Sequence, residues 1–360
     1  MRKMKLIALK DVCKINMGQS PNSSSYNDYG DGMPFFQGNA DFGERYPITR
    51  VWCNTPTKIA QAEDILISVR APIGALNYAK EECCIGRGLA AITPDRNKVS
   101  QDFIYWALKG KKAELNDKGN GSTFKAISRK VLEETMIPDI NFEQQHKCAE
   151  NLEKIYGIIQ NRRKELLALD DLIKARFVEM FGDPIINSKH LETKELKDIL
   201  ILKAGDFTAA SDIADEPSEF NPYPCYGGNG IRGYVVEYNQ EGEYSLVGRQ
   251  GALSGNVQFA SGKFKNTEHA LLVTPIVEMN CIWLNQLLVN LDLKRYQTGA
   301  AQPGLSVKNL QEIKILCVSI DEQKAFADFV RQVDKSKVAV QKALDETQTL
   351  FDSLMQEYFG

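Results

Sequence analysis

Apolar side chains recur at Leu152, Ile155, Ile159, Leu166, Leu169, Ile173 and Met180, in steps of three, four and seven. That spacing draws one stripe along a long helix. The frame returns 178 residues later at Val330, Val333, Val340, Leu344, Phe351, Leu354 and Tyr358. Both stretches open on the same signal: Asn141-x-x-Gln144 and Ser319-x-x-Glu322 each place a side-chain oxygen at the N-cap and an amide or carboxyl three residues on. The first stretch stops at Gly182 with Pro184 beyond it, and the second runs to Gly360. The pattern predicts helices over 142–182 and 319–360, each about 40 residues or roughly 60 Å long, sharing one hydrophobic seam. Arg162 and Lys337 interrupt that seam, each in one copy.

Two blocks precede the helices, 1–141 and 183–318, and they repeat less faithfully. Ile65–Arg70 and Gly88–Thr93 predict buried strands, Gln19–Asp31 a loop, 101–116 an amphipathic helix, and Ser128–Leu132 a short capped turn. Leu9-Lys-Asp-Val returns as Leu196-Lys-Asp-Ile, 187 residues on, and Arg70 is placed against Arg249, 179 on. The blocks therefore tolerate insertions and the helices do not: two readers mounted on one ruler.

Composition narrows the chemistry. With 44 basic and 47 acidic residues the net charge is −3, which disfavours a lone nucleic-acid binder without excluding local basic patches. The eight cysteines form no CxxC pair, so reduced thiols in a cytoplasmic protein are expected, with no metal site. No apolar run approaches the roughly 20 residues of a membrane span. The chain carries no P-loop, GxGxxG or HExxH pattern, and no Asn- or Asp-Pro-Pro-aromatic tetrapeptide. Glu63-Asp64 and Glu81-Glu82 are taken as solvated edges. No residue is expected to be catalytic.

The unusual segments are loops rich in Gly, Asn, Gln and Arg. Arg addresses guanine bidentately, and Asn or Gln addresses adenine; the same residues also build ordinary hairpin turns. The candidates in the first block are Gln37, Asn39, Arg70 and Arg87, with Ser122 and Lys125 beside the turn Gly119–Thr123. In the second block they are Asn229, Arg232, Arg249, Gln250, Lys265, Asn266 and His269.

In its layout the chain resembles the DNA-specificity subunit of type I restriction–modification enzymes. The carriers are Leu9-Lys-Asp-Val and Leu196-Lys-Asp-Ile, Glu143-Gln-Gln and Asp321-Glu-Gln, the run Gly227–Tyr234, and the Phe-Gly helix ends, in that duplicated order. Asp139-Ile-Asn and Val318-Ser-Ile stand where that family usually has prolines. The resemblance implies an α+β fold: two α/β target-recognition domains joined by two long helices packed as an antiparallel coiled coil. It implies a bipartite target on double-stranded DNA, with the helix length setting the gap; one DNA turn is about 34 Å. It also implies two methyltransferase subunits, which would bring S-adenosylmethionine and flip the adenine, and restriction/translocase subunits. No cofactor is expected in this chain.

Two readings remain beside it. One is the specificity chain of a split-site enzyme whose methyltransferase and nuclease are fused. The other is a coiled-coil scaffold for protein partners, with the loops as mere turns.

Overall fold

A computed structural model describes residues 5–120, 125–251, 253–299 and 304–360. The chain divides into two compact units, residues 1–162 with 343–360, and residues 163–342. The long helices are Phe142–Phe181 and Ile320–Phe359, 40 residues each. Each gives one part to each unit. Both capping boxes form: Asn141 Oδ1 accepts from Gln144 N (2.9 Å), and Ser319 Oγ from Glu322 N (3.3 Å), with return bonds to the N-cap amides.

In the first unit Leu6–Ala8 pairs antiparallel with Met136–Pro138, which ties the start of the block to its end just ahead of the helix. A four-stranded sheet follows in the order Cys13–Met17, Leu89–Pro94, Ile65–Ser68, Leu76–Tyr78. The β-branched run Ile65–Ser68 is buried throughout, as a central strand covered on both faces must be. A smaller five-stranded sheet contains the parallel pair Phe35↔Cys84. The amphipathic stretch 101–116 is two helices, Gln101–Gly110 and Lys112–Asp117, broken at Lys111. Gly110 packs closely there: a Cβ would lie 3.1 Å from that of Phe359. Tyr156 meets Phe351 (ring centroids 6.0 Å apart), and Asn151 Nδ2 donates to Tyr358 Oη (3.3 Å), so the helical segments of this unit run antiparallel.

The second unit repeats the plan. Thr193–Glu195 pairs with Lys314–Leu316, and Leu200–Ala204 joins Ala270–Pro275 and Gln240–Gly248 in a sheet of six strands. Its helical segments are again antiparallel, with Phe177 against Phe326 (5.5 Å) and Asp170 paired to Lys337 (2.6 Å). Phe177, Phe181, Trp283 and Phe326 form an aromatic core there. The seam residues Leu152, Ile159, Ile173, Val330, Val333, Val340, Leu344 and Phe351 are buried, and Ile155, Leu166, Leu169 and Leu354 half-buried.

Both units use one device to lock block to helix. Gln145 is buried, its Oε1 accepting from Ser100 N (2.7 Å) while Nε2 donates to Ile140 O (2.8 Å). Gln323 does the same with Asn280 N (2.8 Å) and Val318 O (3.0 Å). One side chain thus satisfies an orphan amide at the start of a packing helix and a carbonyl before a long one.

Two further expectations change, and the one for the cysteines does not. The loop 19–31 contains a 3-10 turn, Ser23–Ser25, and a short strand, Tyr26–Asn27. Asp64 is buried, not solvated, its Oδ2 accepting from Gln61 N (2.9 Å) to close a turn. The cysteines are free, and burial pushes Cys13 and Cys83 up to about 12, far from a reactive thiolate.

Candidate nucleic-acid interface

The loops of the first unit are joined by a row of backbone hydrogen bonds. Gln19 N donates to Ile85 O, Gly86 N to Phe36 O, Gly88 N to Gln37 O, Val69 N to Gly88 O, and Ile127 N to Val69 O, at 2.8–3.1 Å. The row holds Gln37, Arg87, Arg70 and Lys125, all exposed, on neighbouring segments. Asn39 sits half-buried in the 3-10 turn Asn39–Asp41, and Ser122 lies outside the described residues. Glycine enters the row because backbone approaches backbone: a Cβ on Gly88 would stand 2.5 Å from Gln37 O.

Gln37 is not a free reader. Its Nε2 donates to Ser20 Oγ (2.9 Å), which also accepts from Arg87 N (3.2 Å). Beneath these groups is a shallow cavity of about 480 Å³, floored by Tyr26, Phe35 and Val51, with Asp41 and Arg87 at its edge. Tyr26 and Phe35 stack at 4.7 Å. A larger cavity of about 540 Å³, lined by Tyr78, Tyr105, Trp106 and Tyr156, holds none of the candidate residues.

The second unit repeats four of these five bonds. Asp206 N donates to Asn266 O, Thr267 N to Tyr226 O, Arg249 N to His269 O, and Leu305 N to Arg249 O, at 2.9–3.1 Å. These bonds fix the register between the units and correct the sequence pairing by one residue. Val69 and Arg249 occupy one position, each donating and accepting alike; the bridge Arg70↔Ala126 corresponds to Gln250↔Gly304. Arg70 is therefore matched by Gln250, not Arg249. A slip of one exchanges the faces of every side chain on the segment.

The remaining candidates separate by burial. Asn229 is exposed at the turn and accepts from Asn256 Nδ2 (3.1 Å). Arg232 is exposed, its chain laid over Gly227. Arg249 is half-buried and shares a cavity of about 550 Å³ with Gln250 and Thr298. Lys265 lies 3.7 Å from Asp206; the Asn239 amide, ahead of Lys265, holds the Asp206 carboxyl below its ordinary range. Asn266 departs from expectation. It is 1% exposed, its Nδ2 reaches Ala270 O (3.4 Å), and it sits where the first unit has the buried Ile85. It shapes the fold and presents nothing to a groove.

His269 lies between two side chains, Nδ1 2.9 Å from Gln250 Oε1 and Nε2 3.0 Å from Glu268 Oε1. Ser20, Asp41, Asp206 and Glu268 were not anticipated; the capping spacing of Asp41 to Gly38 was the only local signal among them. No group of metal-ligating side chains is present among the described residues, and no described helix is long and apolar enough to cross a membrane.

Comparison with known proteins agrees with this duplicated layout. The type I restriction modification DNA specificity domain matches residues 1–169 and again 188–347. The chain is 47% identical over 152 residues to a putative type I restriction enzyme MjaX specificity subunit of Methanocaldococcus jannaschii, covering 42% of this chain and 36% of that one. It is 40% identical over 158 residues to the type I restriction enzyme EcoprrI specificity subunit of Escherichia coli, covering 43% and 39%. Those matches span well under half the length of either relative. A crystal structure of the S subunit of a type I restriction–modification system from M. genitalium shares the fold, with a TM-score of 0.65 at 18% identity over 100% of this chain and 97% of that one. With both halves of its length matched by the domain model, the chain belongs to the family of type I restriction–modification DNA specificity proteins.

Proposed function

We propose that this chain is the target-reading subunit of a type I restriction–modification enzyme, each unit reading one half of a bipartite site on double-stranded DNA. The observation that carries the reading is the duplicated row: four equivalent backbone bonds in both units, edged by exposed Arg70, Arg87 and Lys125 in one and Asn229, Arg232 and Gln250 in the other. Arginine and amide side chains on a rigid frame read base edges, and Lys and Arg anchor phosphates. The chain contributes specificity and no bond making. Two methyltransferase subunits would bring S-adenosylmethionine and extrude the target adenine, and restriction/translocase subunits would complete the enzyme, which acts on DNA in the cytoplasm.

The test is single-molecule sequencing of a host that co-expresses this chain with its methyltransferase. A new adenine-methylated motif in two parts with a fixed gap is the expected result. Soluble, associated proteins that leave no new motif would transfer the weight to a protein scaffold.

A further inference from the structure

Gln250 stands exposed just beyond the strand Gln240–Gly248, at the edge of the second unit's row. Its amide does not stand alone. His269 Nδ1 faces Gln250 Oε1 at 2.9 Å, and His269 Nε2 faces Glu268 Oε1 at 3.0 Å. The other carboxyl oxygen, Glu268 Oε2, is buried and has no hydrogen-bond partner among the described residues. The backbone that carries both side chains is fixed as well: His269 O accepts from Arg249 N (3.1 Å), and Glu268 N donates to Asp206 O (3.2 Å).

A carboxylate only accepts hydrogen bonds, so Nε2 must carry the proton of its contact with Glu268. The other nitrogen then decides the glutamine. A proton on Nδ1 holds the Gln250 carbonyl inward and turns its NH2 out; a bare Nδ1 takes the NH2 and turns the carbonyl out. The structure, with Oε1 on Nδ1, shows the first arrangement, in which both ring nitrogens donate and the Glu268 carboxylate balances the charge of the doubly protonated ring. An outward NH2 suits guanine O6 and N7, thymine O4 or adenine N7, whereas an outward carbonyl would suit the amino groups of adenine or cytosine.

We propose that Glu268 and His269 form a relay that fixes which end of the Gln250 amide faces DNA, making Glu268 a positioning residue for base choice in the second half-site. The proposal rests on the reading of the second unit as a DNA reader. Glu268 touches no base in this scheme; it acts through the imidazole. The first unit has no such relay, since Arg70, Arg87 and Gly88 occupy the positions of Gln250, Glu268 and His269.

The test uses the full chain with its methyltransferase, methylating a library of targets randomised across both half-sites. In Glu268→Gln the new amide either donates to Nε2 or accepts from it, so the glutamine is no longer held one way. Discrimination should fall about tenfold at one base pair of the second half-site, with the first half-site unchanged; that unchanged half also reports a folded chain. Gln250→Ala should erase the preference at the same base pair. Gln250→Glu, which lacks a donor, should move it toward bases that offer an amino group. A Glu268→Gln profile identical to that of the parent, or weakened evenly at all positions, overturns the relay. Absence of any two-part motif with the unaltered chain would instead remove the reading of the chain as a DNA reader, and the relay with it.

Discussion

The two rows share four backbone bonds and almost no side chains. Arg70 is answered by Gln250, Arg87 by Glu268, Gly88 by His269, Val69 by Arg249 and Ile85 by Asn266. Backbone bonds carry no record of side-chain identity, so a frame built from them leaves the edge free to change. The first row is the more basic, with Arg70, Arg87 and Lys125; in the second, Asp206 and Glu268 offset part of the positive charge. The two half-sites should therefore differ in sequence. The first unit should also draw more of its affinity from phosphate neutralisation, the salt-sensitive part of DNA binding.

The largest expected effect breaks the likeness of the helical cores. Phe326 is fully buried against Phe177 and Phe181, at 5.5 and 5.6 Å between ring centroids. Its counterpart 178 residues earlier is Cys148, half-buried. Phe326→Ala should cost the second unit about 3–5 kcal/mol, whereas Cys148→Ala should cost the first about 1 kcal/mol or less. Hydrogen exchange resolved by unit measures both, and equal losses would show that the cores are more alike than their side chains.

The next variants sharpen the likeness instead. Gln145→Ala and Gln323→Ala each strand a buried amide and a carbonyl, at about 1–3 kcal/mol per unsatisfied group. The two losses should agree to within about 1 kcal/mol, because the partners are equivalent. At the rows, Arg87→Ala should relax base choice in the first half-site alone, by about 1–3 kcal/mol at one position. Methylation of both half-site libraries checks this, and relaxation in both halves would refute independent reading. Asn266→Ala should lower stability by about 1 kcal/mol and leave base choice intact.

The sequence revealed the helices to within one residue at each end because two independent signals, the apolar frame and the capping boxes, agreed. It was less legible where one signal stood alone. The stretch 101–116 has a continuous apolar face, yet the chain breaks at Lys111, beside Gly110 and the buried Phe359. Arg70 was set against Arg249 because arginine is the conspicuous residue in both segments; the register is decided by backbone bonds that composition does not express. Asn266 looked like a reader because residue type says nothing of burial, and its counterpart Ile85 becomes visible only once the parallel strand pairs are aligned. Glu268 carries no signal of its own in the sequence, since an acid one residue from His269 gains meaning only from the 3.0 Å contact.

The smallest effect concerns the seam. Ile159 is 1% exposed, while Lys337, at the same place in the second copy, keeps 30% of its side chain exposed and pairs with Asp170 (2.6 Å) and Asp334 (3.6 Å). Placing a lysine in an apolar stripe looks costly, but a partly solvated ion pair contributes only about 0–1 kcal/mol and removes little from water. Replacing it with the residue of the other copy, Lys337→Ile, loses the two ion pairs and buries more methylene surface. The terms oppose each other, so the midpoint of chemical denaturation should shift by no more than about 1 kcal/mol in either direction. Raising the salt concentration should lower the parent relative to the variant, because the parent's ion pairs are screened and the isoleucine has none to lose. A loss well beyond that, insensitive to salt, would mean that Lys337 fixes the pairing of the two helical segments in a way its two exposed carboxylate partners do not explain.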